Sequence, residues 1–143
     1  MRRLLGIALR AMTKSLPIKS YMTRGPLTVG AEQTLAHAAG VMAKHKIRHL
    51  PVLHGGKLAG IVSDRDLRLV ESLPDVKPTL ITVSDVMTTG VYAVSPDTPV
   101  LEVVRNMARH KYGSAVVMQG DKVVGIFTTV DLCNAFVELL GGP

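Results

Sequence analysis

The sequence has no tryptophan, two phenylalanines, three tyrosines and a single cysteine among its 143 residues. One cysteine excludes an internal disulfide and points to a reducing, cytoplasmic setting. The apolar neighbours of Cys133 predict a buried thiol without a reactive role. Scarce aromatics remove the stacking platforms on which single-stranded nucleic acids bind. What remains is an apolar fraction of Val, Leu, Ile, Ala and Met, the composition of aliphatic helix-on-sheet packing. Acids are missing from the first 24 residues, which hold Arg2, Arg3, Arg10, Lys14, Lys19 and Arg24, whereas the rest of the chain carries 11 bases and 11 acids. The net charge of +6 therefore belongs to the first 24 residues, which begin with a basic N-terminal arm, residues 1–17, and the neutral body argues against nucleic acid and membrane as partners. The arm has an apolar face with basic residues between, but no apolar run long enough to cross a bilayer. Gly6 interrupts Leu4–Leu9 and Ala8–Ala11 is a poor cleavage context, so a signal peptide is at most weakly suggested. The arm reads as a terminal helix that frays or packs on a partner. Catalytic constellations are missing too. No Ser/His/Asp or Cys/His order, no acids sharing a pocket and no metal-ligand cluster stands out. His45 and His49 straddle a helix-to-strand change, so they share no helix face as a zinc pair would. The expectation is a protein that is not an enzyme, with no metal.

What the chain does have is a repeat. Met22–Leu67 aligns without a gap on Met87–Leu132, and about 15 of the 46 pairs are identical, among them Met22/Met87, Thr23/Thr88, Met42/Met107, Gly60/Gly125 and Asp66/Asp131. Each copy is one supersecondary unit too small to be stable alone. Between them, residues 73–82 contain Pro74 and Pro78, which break any helix and predict an exposed linker. Within a copy, Leu35, Ala38, Ala39 and Met42, or Val100, Val103, Val104 and Met107, mark one face of a helix, with the methionines as core filler. Ser95-Pro96-Asp97-Thr98-Pro99 supplies a turn, a cap and a first-turn proline to the second of these helices. Gly55-Gly56 and Gly120-Asp121 then separate β runs as hairpin turns. Gly60–Leu67 and Gly125–Leu132 each run from a strand into a helix. Ser63 or Thr128 is placed to cap it, with Asp66 or Asp131 in its first turn. The order is short strand, helix, strand, hairpin, strand, helix: an α/β (α+β) sandwich built on a mixed sheet.

The ordered set of Met-Thr at the start of each copy, His49-Leu50-Pro51-Val52 on the middle strand and Gly-hydrophobic-hydrophobic-hydroxyl-x-x-Asp at the end resembles a tandem pair of cystathionine-β-synthase (CBS) domains, a Bateman module. The resemblance covers roughly residues 18–140, with repeats at 18–72 and 83–140. It implies two repeats, each a small mixed sheet with two helices, packed about a pseudo-two-fold axis. It also implies clefts that take adenosyl ligands such as AMP, ADP, ATP or S-adenosylmethionine, with no obligatory cofactor. Carried over by position, the principal cleft would use Ser63 and Asp66, with Arg48 and His49 near the phosphates and Tyr92, Gly113, Ser114 and Ala115 near the base; Arg65, beside Asp66, would add a phosphate contact or stand as a solvated surface charge. The second cleft would use Thr128 and Asp131 with Thr28, Ile47 and Leu50. Gly113-Ser114 stands where the first copy has Arg48-His49, so the second cleft would lack those cations. A carboxylate in a first helical turn can accept from both ribose hydroxyls, while the hydroxyl before it and the helix start can donate to a phosphate.

The leading expectation is a stand-alone regulatory module that binds an adenine nucleotide and signals energy or metabolite state to another protein. Two alternatives stay open. The arm could bind nucleic acid or an anionic membrane, or the chain could be a ligand-free dimerisation unit. A homodimer is expected, because Val130, Leu132, Cys133, Phe136, Val137, Leu139 and Leu140 give the last helix apolar residues on more than one face.

Overall fold

Thr34 Oγ accepts the His37 amide (3.1 Å) and so opens helix α2, Leu35–His45. The periodic apolar positions Leu35, Ala38 and Met42 turn inward and are buried. The helix stops at Lys46, which adopts the left-handed conformation (φ 54°) and returns its amide to the Met42 carbonyl. The second copy repeats this in α4, Val100–His110, which ends at a left-handed Lys111 (φ 58°). Pro99, expected in the first turn, stands one place earlier at the N-cap and provides no side-chain bond to the helix. Its fixed φ and missing amide are both tolerated there.

Residues 1–14 and 16–142 are described by the computed structural model; Ser15 of the arm and Pro143 lie outside it. Helix α1 spans Arg2–Lys14. In each copy two long strands form the predicted hairpin. β3 (His49–His54) pairs with β4 (Lys57–Ser63) with His49 opposite Ser63, and β6 (Ser114–Gln119) pairs with β7 (Lys122–Thr128) with Ser114 opposite Thr128. Gly55 and Gly56 both take positive φ (57° and 78°), as a tight turn between twisted strands requires. β2 (Val29–Gly30) runs parallel to β3, and β5 (Ala93–Val94) parallel to β6. Both sheets are therefore mixed. Helices α3 (Asp64–Glu71) and α5 (Thr129–Leu139) follow the hairpins.

The chain separates into two compact units, residues 1–25 with 92–143 and residues 26–91. These are out of phase with the sequence repeats. In the first unit, β1 (Thr23–Arg24) adds to the edge of β7, making a four-stranded sheet in the order β1-β7-β6-β5. In the second, a three-stranded sheet β2-β3-β4, Thr88 exchanges two backbone hydrogen bonds with Ile61 of β4 (2.9 and 3.0 Å). The Met-Thr that opens each repeat thus completes the sheet of the other one's unit. The two glycines at matching places in β4 and β7 permit it. A Cβ on Gly60 would lie 2.7 Å from Met87 Sδ and 2.8 Å from the Thr88 carbonyl oxygen, and one on Gly125 would run into Met22.

Each unit has its own core. Ile18, Val103, Met107, Ala115, Val117 and Phe127 form the first; Val29, Leu35, Ala38, Met42, Leu50, Val52, Val62, Leu67 and Val83 are the main members of the second. Met42 and Met107 fill those cores as the periodicity predicts. The 73–82 connector exposes Leu73 and Leu80 but then docks on α2. The Leu35 amide donates to the Ile81 carbonyl (2.9 Å), and Thr82 caps a short 3-10 turn through Asp85. The expectation for Cys133 is overturned, since its thiol-bearing residue is exposed. On α5 it is Leu132 that packs against the core, and the next residue lies about 100° around the helix, away from the covered face.

Candidate functional site

In the second unit, strand register brings the expected ligand residues together. His49 begins β3 directly opposite Ser63, which ends β4. The Asp64 amide donates to the Arg48 carbonyl (2.8 Å), tying the start of α3 to the strand beside it. Ser63 and Asp66 form a reciprocal cap. Asp66 Oδ2 accepts from the Ser63 amide (2.8 Å) and hydroxyl (2.9 Å), while Ser63 Oγ accepts the Asp66 amide (3.3 Å). Two consequences follow. The Ser63 hydroxyl and the Asp66 amide are spent within the cap and the Asp64 amide on the Arg48 carbonyl, and the cationic side chains nearby are Arg48 and Arg65, both exposed. Oδ1 of Asp66, meanwhile, accepts no hydrogen bond from the described residues.

His49 is half-buried between these groups. Burial pushes its imidazole below the ordinary value of 6.5; Asp66 and Asp64 pull it up, and the neighbouring Arg48 guanidinium pushes it further down. Desolvation is the larger effect, so His49 is neutral near pH 7 and can accept or donate one hydrogen bond without bringing a charge. Asp64 was not singled out by its sequence; besides facing His49, it pairs with Arg68 one turn on (3.1 Å).

The matching place in the first unit is built alike and used differently. Asp131 Oδ2 accepts from the Thr128 amide (2.8 Å) and hydroxyl (3.2 Å), the same cap as Ser63/Asp66. Its Oδ1, however, accepts the hydroxyl of Thr23 (2.9 Å), delivered by the β1–β7 pairing. No short-range signal could have exposed this bond, because Thr23 and Asp131 are 108 residues apart. The cations are absent as the alignment indicates: Gly113 and Ser114 stand where Arg48 and His49 do.

The other expected residues divide by exposure. Tyr92 lies flat against Tyr112 (ring centroids 5.2 Å), which in turn stacks on His110 (5.2 Å), and the Asn106 amide donates to the Tyr92 hydroxyl (3.2 Å). Gly113 is exposed and Ser114 half-buried, while Ala115 sits wholly within the first core. Thr28 is exposed, Ile47 packs against the second core, and Leu50 is a fully buried member of it. The side chains of Ala115 and Leu50 are thus committed to packing, and only their backbone is left for a ligand. Among the described residues, no three or more His, Cys, Asp or Glu side chains are grouped to hold a metal ion, and no helix is long and apolar enough to cross a membrane.

Comparison with known proteins agrees with this frame. The CBS domain model matches residues 18–72 and 83–138. The chain is 30% identical over 115 residues to the CBS domain-containing protein YhcV of Bacillus subtilis, covering 80% of this chain and 81% of that one. It is 31% identical over 121 residues to L-aspartate semialdehyde sulfurtransferase of Methanocaldococcus jannaschii, covering 83% of this chain but spanning only 23% of the enzyme's length. Among solved structures, the CBS domain pair of protein MJ0100, in complex with 5′-methylthioadenosine and S-adenosyl-L-methionine, superposes with a TM-score of 0.78 at 27% identity over 86% of this chain and 97% of that one. With two matched segments, the repeated hairpin-and-helix units and the paired Ser/Thr–Asp caps, the chain belongs to the CBS domain family, as a tandem CBS pair.

Proposed function

We propose that the chain is a regulatory module, not an enzyme, that binds an adenosyl ligand at Asp66 and reports its presence to a partner protein. One observation carries the reading: Asp66 is held by its cap through one oxygen while the other accepts no hydrogen bond from the described residues, with His49 at the start of β3 opposite its capping partner Ser63 and Arg48 just before it. A fixed carboxylate with an unused oxygen is an acceptor for ribose hydroxyls, and an exposed guanidinium close by is a partner for phosphate. The MJ0100 domain pair, which holds two adenosyl compounds, supports the ligand class. Asp131, whose second oxygen is already engaged by Thr23, is the weaker site. AMP, ADP, ATP and S-adenosylmethionine are the ligands to compare; the partner is a further protein. The expected assembly is a homodimer through the exposed apolar side of α5, where Val130, Phe136, Val137 and Leu140 lie open.

Titration calorimetry tests the site. Charge-assisted bonds contribute about 1.5–3 kcal/mol each, roughly tenfold to a hundredfold in affinity. Asp66→Ala is expected to weaken every adenosyl ligand by such a factor, and Arg48→Ala to weaken ATP and ADP more than adenosine. Asp131→Ala is expected to have the smallest effect. If Asp131→Ala abolishes binding and Asp66→Ala leaves it intact, the assignment is wrong.

A further inference from the structure

Helix α1 stands open to solvent over its first two turns. Met1, Leu4, Leu5 and Ile7 are 97%, 72%, 62% and 63% exposed, and Ala8 is exposed as well. Met1, Leu4, Leu5 and Ala8 fall at i, i+3, i+4 and i+7, with Ile7 at their edge, so these open side chains form one stripe. Arg3 and Arg10, seven residues apart, lie on the opposite side, and Arg2 borders the stripe. No acid occurs before Glu32. The helix meets the body through its C-terminal half, where Arg10 and Ala11 share a cavity of about 680 Å³ with Pro99, Leu101, Glu102 and Arg105 of α4 and its N-cap.

We propose that α1 is an interfacial helix that lies on an anionic phospholipid surface, with Met1, Leu4, Leu5, Ile7 and Ala8 at the acyl boundary and Arg2 and Arg3 on lipid phosphates. The charge and the apolar stripe have to be satisfied together. A nucleic acid would neutralise the arginines but leave four large apolar side chains in water. A second α1 would cover the apolar stripe but bring two acid-free, cationic helices side by side. An anionic bilayer satisfies both. The neutral body counts against membrane binding only if the body does the binding; here the helix carries the charge itself. The proposal is independent of the nucleotide reading.

Co-flotation of the full chain with vesicles tests it, using pure phosphatidylcholine and an equal mixture of phosphatidylcholine and phosphatidylglycerol. The chain is expected to float with the anionic vesicles alone, less so as salt rises. Arg2→Glu with Arg3→Glu is expected to lower partition by at least about twentyfold, since each basic residue at such a surface contributes about fivefold. Leu4→Ser with Ile7→Ser, which leaves the charge unchanged, is expected to lower it as well. Both double variants should keep the parent melting temperature, because the replaced side chains are exposed. The proposal is overturned if the chain stays in solution. It is overturned equally if the Leu4→Ser, Ile7→Ser variant binds as tightly as the parent, which would mean plain polyanion attraction. Loss of self-association by that variant in vesicle-free sedimentation would instead assign the stripe to a second copy.

Discussion

Asp66 and Asp131 occupy equivalent places in two copies of one motif, and Asp131 has a hydrogen bond that Asp66 lacks, the one from Thr23 to its Oδ1 (2.9 Å). Thr23→Val removes it. The partly exposed bond should be worth about 0.5–1.5 kcal/mol, read as a lower urea midpoint at unchanged slope. Its loss also frees an acceptor, so Thr23→Val should raise adenosyl binding at Asp131 when measured in an Asp66→Ala background. His49 makes a second prediction. Its folded-state pKa lies below the unfolded value of 6.5, chiefly through burial. Around and below pH 6.5 the unfolded chain therefore binds more protons than the folded one. The stability this group contributes is whole above the unfolded value and erodes as pH falls below it, levelling off beneath the folded value. Melting temperature against pH should show the parent losing more stability than His49→Gln in that window; parallel curves would refute the linkage.

At the scale of elements, the strand–helix unit is written twice but punctuated by residues whose backbone demands differ. Gly60 has the Thr88 carbonyl oxygen 2.8 Å from where a Cβ would sit, whereas Gly125 meets only the flexible side chain of Met22. Gly60→Ala is accordingly expected to cost about 1–3 kcal/mol and Gly125→Ala distinctly less, by chemical denaturation. Lys46 and Lys111 end α2 and α4 in the left-handed region. Glycine escapes the steric cost of that conformation, so Lys46→Gly should stabilise the chain by up to about 1 kcal/mol. The capping boxes explain how one short motif serves two ends. Starting a helix and presenting a carboxylate use different oxygens of Asp66.

At the scale of the whole molecule, the exposed apolar side of α5 decides assembly in the proposed homodimer. Phe136 is 58% exposed and Leu140 70% exposed on the terminal helix. If the α5 side joins two copies, Phe136→Glu should yield a monomer in sedimentation velocity at a concentration where the parent is dimeric. Its effect on the stability of a lone chain should stay within about 0.5 kcal/mol, because the side chain is exposed there. A parent that sediments as a monomer at micromolar concentration would count against the dimer.

Much of this protein is local and therefore legible in its residues. The repeat, the Gly55-Gly56 hairpin, the helical face of Leu35, Ala38 and Met42, and the Ser63–Asp66 and Thr128–Asp131 caps all rest on interactions a few residues apart. Spacing along the chain reports such interactions directly. The burial of Cys133 was misjudged because composition shows that a helix is apolar but not which of its sides finds a cover. The out-of-phase units, with Thr23 on β7 and Thr88 on β4, were hidden in a different way. Aligned copies with the same side chains can complete either sheet, and the choice depends on which edge the folded backbone leaves open. The hydroxyl bond from Thr23, 108 residues away in sequence, engages the second oxygen of Asp131, and the equivalently paired Thr88 makes no such bond to Asp66 among the described residues. Sequence determined that there are two acids in two caps and that cations flank only the first; tertiary structure decided that Thr23 donates to Asp131 while Thr88, paired with β4 at the matching place, does not donate to Asp66 among the described residues, because a contact 108 residues apart depends on side-chain placement in the folded chain and leaves no trace in local spacing.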